Sequence, residues 1–255
     1  MSWLVILGGL LGLLFGGFRG LVLGALIGYG ITWALPRLLR RSVELVHSQL
    51  LDSTFAAMGA LSKADEVVTR DEIRAAEAVF DRMGLSAEQR KSAKAAFNRG
   101  KAPDFDLDAE MDKLAAICRG RSALLGLFLQ AQLMAVAADG QVHPAEHEML
   151  VRMARRLGIS EADVARLEAA LRAGAGEASG APSASRLDDA YEALGVSPSA
   201  SDAQIKRAYR RLMSENHPDK LAGKGLPENM REIAEERTRE ITEAYRLITE
   251  ARGKR

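Results

Sequence analysis

Ser201-Asp202-Ala203-Gln204-Ile205-Lys206-Arg207-Ala208-Tyr209-Arg210-Arg211-Leu212-Met213-Ser214-Glu215-Asn216-His217-Pro218-Asp219-Lys220 opens with a capping box, Ser201 with Gln204, and then spaces Ile205, Tyr209, Leu212 and Met213 along one face of a helix. The opposite face carries Lys206, Arg207, Arg210 and Arg211. A charge run is ordinarily a solvated face, but this is more cation than so short a helix needs in order to fold. The helix has to stop at His217, because proline disfavours helical geometry in the residue before it. The stop leaves a histidine and a carboxylate in a loop.

Working outward, Asp188 to Leu194 opens with acids, presents Tyr191 and Leu194 three apart and ends at Gly195. A last helix follows Pro227, with Ile233, Ile241, Ala244, Tyr245 and Ile248 as its inward stripe. Two antiparallel helices joined by the His217-Pro218-Asp219 loop are implied.

Tyr191-Glu192-Ala193-Leu194-Gly195-Val196, the basic helix ending in His217-Pro218-Asp219-Lys220, and Glu243-Ala244-Tyr245 with Leu247-Ile248 together resemble a J domain over residues 187–255. That resemblance implies docking of His217, Pro218, Asp219 and the basic helix on a DnaK-class chaperone, coupling its ATP hydrolysis to capture of unfolded substrate. Asp219 would give a charge-assisted hydrogen bond to a chaperone arginine, and Lys206, Arg207, Arg210 and Arg211 would meet an acidic surface.

Before the J-like segment, residues 173–186 are rich in Gly, Ala and Ser and read as a flexible linker. From about Ser42 to Leu171 the pattern is helical throughout. It also repeats: Ala64 to Glu72 followed by Gly84-Leu85-Ser86 returns as Ala138 to Glu146 followed by Gly158-Ile159-Ser160, every match at an offset of 74. Two similar helix-turn-helix units follow from this, each with a helix ending at the glycine. The duplicated unit, over residues 50–172, resembles the TerB-like (tellurite-resistance) domain.

The repeat places Asp65 with Glu72 and Asp139 with Glu146. The resemblance raises divalent-cation binding there, and carboxylates suit hard cations. Helix-start chemistry accounts for the acids better, since Thr69 with Glu72 is a capping box and Pro144 occupies a first helical position. Glu66 also replaces the glycine found at Gly140, so no metal is expected. His143-Pro144-Ala145-Glu146-His147 spells the pattern of inverted zinc proteases, but Pro144 leaves His143 outside the helix. His47 receives no role. Cys118, the one cysteine, lies in an apolar helical stretch and reads as a small buried hydrophobe; it excludes an internal disulfide framework.

At the other end, Trp3 to Leu35 holds a single charge, Arg19, in 33 residues. That is membrane material, and the basic cluster Arg37, Arg40 and Arg41 follows it instead of preceding it, unlike a cleaved signal peptide. Positive flanks remain cytoplasmic, so a single-pass span in a bacterial inner membrane is expected over residues 1–36, its N-terminus outside and the remaining domains in the cytoplasm. Gly8, Gly12, Gly16, Gly20, Gly24 and Gly28 form an unbroken four-residue series on one helix face, which predicts self-association into a homodimer. A straight helix of this length would reach about 50 Å, so Arg19 can snorkel outward. The alternative is a hairpin turning at Gly16-Gly17, with arms of only about 22 Å.

Composition agrees with several helical parts: 255 residues, 47% apolar, 27% charged and a net charge of +1, which gives no nucleic-acid footprint. The expected fold is all-α: an N-terminal transmembrane helix, a duplicated TerB-like domain and a C-terminal J-domain hairpin. This order of parts resembles the DnaJ-like protein A family of membrane-anchored co-chaperones. The chain departs from the general DnaJ plan in placing its J domain last and in lacking both a Gly/Phe-rich segment and C-x-x-C pairs. Two rival functions are a membrane scaffold or envelope-stress sensor acting through the TerB-like domain, and a metal-dependent enzyme. For the second no nucleophile, paired base or phosphate loop is found, so neither enzyme activity nor a cofactor is expected.

Overall fold

The computed structural model describes residues 2–63, 77–136, 142–175 and 184–253, and among them all regular structure is helical. The chain divides into two compact units, Met1–Ser48 and Gln49–Arg255.

The first unit holds most of helix α1 (Ser2–Leu61), which is not continuous: Gly16 (φ −140°, ψ 15°) and Gly17 (φ 59°, ψ −147°) leave helical geometry. The straight span favoured by the glycine spacing is therefore replaced by the hairpin. A residue with a Cβ would be strained at Gly17, and glycine adopts its conformation freely. Beyond the turn the two arms run antiparallel in backbone contact. A Cβ on Gly12 would collide with the Gly20 carbonyl oxygen, one on Gly8 with that of Gly24, and one on Gly28 with that of Leu4. The glycine register is symmetric about Gly16, so the face finds its complement within the same chain. Gly16 itself has nothing within 4 Å of a would-be Cβ and belongs to the turn, not to the packed face. This pairing brings Trp3, Tyr29 and Trp33 toward the open end and leaves Phe15, Phe18 and Arg19 at the turn.

The second unit begins with the end of α1 and continues through α2 (Ala87–Gly100), α3 (Leu107–Ile117), α4 (Ser122–Val136), α5 (Pro144–Arg156) and α6 (Glu161–Ala175). The most apolar of these, α4, is central, burying Leu124, Leu127, Phe128 and Ala131 almost completely. Phe55 of α1 meets Phe80 edge-on at 4.7 Å. In the described half of the sequence repeat the two copies match: Gly84 and Gly158 both end a helix at positive φ, 56° and 72°. Ser86 and Ser160 then cap α2 and α6 by accepting from the backbone N–H of Gln89 and Asp163.

Helices α7 (Ala184–Leu194), α8 (Asp202–Asn216), α9 (Pro218–Ala222) and α10 (Arg231–Ala251) complete the unit, with a 3₁₀ turn at Glu228–Met230 before α10. Residues 173–175 and 184–186, assigned by composition to a linker, are helical. The reason is burial: Ala169, Ala170 and Ala173 of α6 share one apolar core with Ala190, Tyr191, Leu194, Ile205, Ile241 and Ile248. Small side chains on both α6 and α7 allow that approach, so α6 serves as an extra helix of the J-like domain. Tyr209, expected inside, is half-buried and stacked on Tyr245 with ring centres 4.3 Å apart.

Candidate chaperone-docking site

The site is built from the end of α8 and the start of α9. The Ser201/Gln204 capping box forms, with Gln204 N donating to Ser201 Oγ and Ser201 N to Gln204 Oε1. From that start the helix turns Ile205, Ala208 and Leu212 inward. Lys206, Arg207, Arg210 and Arg211 are consequently all exposed.

The three arginines of this face differ in electrostatic setting from the domain's other described arginines. Every other described arginine of residues 184–253 has a carboxylate partner: Arg186 pairs with Glu243, Arg231 with Asp219 and Glu235, Arg237 with Glu240, Arg239 with Glu236, Arg246 with Glu243 and Glu250, and Arg252 with Asp202. The four cations of α8 have no ion pair among the described residues.

At the end of α8 the chain leaves helical geometry at His217 (φ −62°, ψ 127°) and re-enters it at Pro218. Pro218 is buried, whereas the His217 and Asp219 side chains are 48% and 72% exposed. His217 has a structural duty that its place in a loop did not reveal: its Nδ1 accepts the Asp219 backbone N–H at 3.2 Å, capping α9. This leaves the other ring nitrogen free to face a partner. The Asp219 carboxylate lies 3.4 Å from Arg231 Nη2.

Sequence reasoning missed Arg237 and Glu240, which occupy inward positions of α10, pair at 3.1 Å and are both buried. Two charged residues at core spacing were the available signal. Also missed were Arg231 beside Asp219 and Arg252, which donates to Tyr191 Oη, to Asp202 and to the Pro198 and Ala200 carbonyls.

Of the candidate metal residues in the middle domain, Asp65, Glu72 and Asp139 lie outside the described residues. Glu146 is buried and accepts the His143 backbone N–H at 2.8 Å, the helix-start role expected of it. His147 faces Glu168 at 2.8 Å, while His143 sits at the cap outside the helix. Among the described residues no group of three or more His, Cys, Asp or Glu is arranged to hold a metal ion. Cys118 is fully buried, and burial pushes its thiol up, away from a reactive thiolate. Trp3–Ala34 taken as one stretch is long and apolar enough to cross a membrane, by length and composition, and the turn at Gly16–Gly17 divides it into two shorter apolar arms.

Comparison with known proteins agrees with this geometry. The model of "Tellurite resistance protein TerB" matches residues 52–169, and that of the "DnaJ domain" matches residues 189–255. The co-chaperone protein DjlA of Photobacterium profundum is 39% identical, over 98% of this chain and 99% of its own. That of Escherichia coli is 38% identical over 93% of both chains. That of Vibrio cholerae is 41% identical over 80% of this chain and 78% of its own. No solved structure matches. With a TerB domain, a J domain carrying an exposed His217-Pro218-Asp219 loop, and relatives alike over nearly its whole length, this chain belongs to the DjlA family of co-chaperone proteins.

Proposed function

We propose that this chain is a membrane-anchored co-chaperone that stimulates ATP hydrolysis by a DnaK-class chaperone, using α8 and the His217-Pro218-Asp219 loop. The observation that carries this is the unpaired cationic face of α8, in a domain whose other described arginines are all paired, ending at a histidine and a carboxylate held open by a buried proline. Unpartnered charges on one face steer association with an oppositely charged surface. The chain supplies binding and orientation, and the hydrolysis takes place on the chaperone. Membrane attachment is assigned to residues 1–36. The cluster Arg37, Arg40 and Arg41 favours a cytoplasmic location for the TerB and J domains at a bacterial inner membrane.

Charge reversal tests the reading. Arg210→Glu with Arg211→Glu, in the full chain, should raise the concentration giving half-maximal stimulation about tenfold at low salt and make the remaining stimulation less salt-sensitive. Helical circular dichroism should not change, because both side chains are exposed. Stimulation equal to wild type at every salt concentration would overturn the assignment.

A further inference from the structure

Arg231 is the first residue of α10, where the helix dipole disfavours a cation. Its position is explained by its partners: Nη2 lies 3.4 Å from Asp219 Oδ1, and Nε donates to Glu235 Oε1 at 3.1 Å. The turn just before it is gripped from outside the J domain. Asn229 Nδ2 donates to the Met83 carbonyl at 3.0 Å, and Asn229 Oδ1 accepts from Gln89 Nε2 at 3.3 Å. Met83 and Met230, which flank these hydrogen bonds, are both buried. Beside the grip, residues 82–84 and the first turn of α10 stand apart around a cavity of about 750 Å³ whose lining includes Arg82, Glu228, Arg231 and Glu235.

We propose that the TerB domain regulates the docking site through this grip, with Asn229 holding Arg231 against Asp219 as an internal occupant of the carboxylate. The inference rests on the co-chaperone reading, in which Asp219 receives an arginine of the chaperone. Arg231 already neutralises part of the Asp219 charge and occupies one of its acceptor sites, so an incoming arginine gains less at this carboxylate while Arg231 is held there. Exposed ion pairs are weak, which sets the scale of the effect at no more than about fivefold in affinity. The regulation is thus a bias that the TerB domain can strengthen or release, and not a block.

The full chain, solubilised in detergent, is titrated against a DnaK-class chaperone, reading the concentration for half-maximal ATPase stimulation. Arg231→Ala should lower that concentration about two- to fivefold. Asn229→Ala should lower it in the same direction, and the double variant should do no more than Arg231→Ala alone, because the two act through one contact. Arg231→Lys should stay closer to wild type than Arg231→Ala. Full additivity, an unchanged value for Asn229→Ala, or a higher half-maximal concentration for Arg231→Ala would overturn the inference while leaving the co-chaperone reading intact. Absence of stimulation by the wild-type chain would overturn both.

Discussion

Gln130, in the middle of α4 of the TerB domain, donates a buried 2.8 Å hydrogen bond to Glu240 in the last helix of the J domain, and Glu240 in turn pairs with buried Arg237 at 3.1 Å. Burial pushes the Glu240 carboxyl up and the Arg237 guanidinium down, and the attraction between them offsets part of each. Removing one partner strands the other charge in an apolar interior. Glu240→Ala should therefore destabilise the full chain by about 3–5 kcal/mol, whereas Arg237→Met with Glu240→Leu strands no charge and should cost less, about 1–3 kcal/mol, for the buried Gln130 amide left without its acceptor. Denaturant midpoints check both. A mild Glu240→Ala would mean that the two domains do not close over this pair.

A second polar tie lies within the TerB domain, where Arg152 Nε and Arg156 Nη2 each donate to Asp108 at 2.8 Å. The hydrogen bond from Arg152, then that from Arg156, hold the Asp108 carboxyl below the usual carboxylate range. With the folded value depressed, the unfolded chain takes up the proton first as pH falls. The stabilisation is complete above about pH 3.9, the unfolded value, and is lost as pH drops through the folded one. Urea midpoints measured from neutral to strongly acidic pH should fall on the acid side for wild type and less steeply for Asp108→Asn. An unchanged acid limb would place the responsible protons on other carboxylates.

The glycine hairpin makes a geometric prediction. A Cβ at Gly9 would lie 3.7 Å from that of Ala25, within the range a disulfide bridges. Because Cys118 is the one native cysteine, Gly9→Cys with Ala25→Cys in a Cys118→Ala background gives a clean readout in membranes. The hairpin predicts a bond within one chain on mild oxidation and an N-terminus on the same side as Arg37, Arg40 and Arg41. In a straight span, positions 9 and 25 stand about 24 Å apart along the axis. Bonds only between chains, or none, would restore that span, with its glycine face turned to a second copy.

The parts read correctly from sequence are those fixed by short-range chemistry. Ser201 with Gln204 starts α8, Pro218 ends it, and the placement of Ile205 and Leu212 decides that Arg210 and Arg211 point outward. What escaped depends on partners distant in sequence. The glycine series of α1 states that a backbone can approach closely, but periodicity does not say whether that backbone belongs to the same chain. Ala173 and Arg186 resemble linker residues until α6 and α7 are seen to share a core. Asn229 is an unremarkable turn residue whose partners, Met83 and Gln89, lie in the other domain. His217 could be placed in a loop, but its cap on α9 required the backbone to be seen.

The most direct test of the central claim is single-turnover ATP hydrolysis by a DnaK-class chaperone from the same cell, with the full chain or its His217→Gln variant. Losing the cap on α9 should cost about 1 kcal/mol, so the variant should stay folded and melt only slightly lower. Wild type should accelerate hydrolysis and His217→Gln should give none of that acceleration. Equal acceleration by the variant, or none by wild type, would contradict the account.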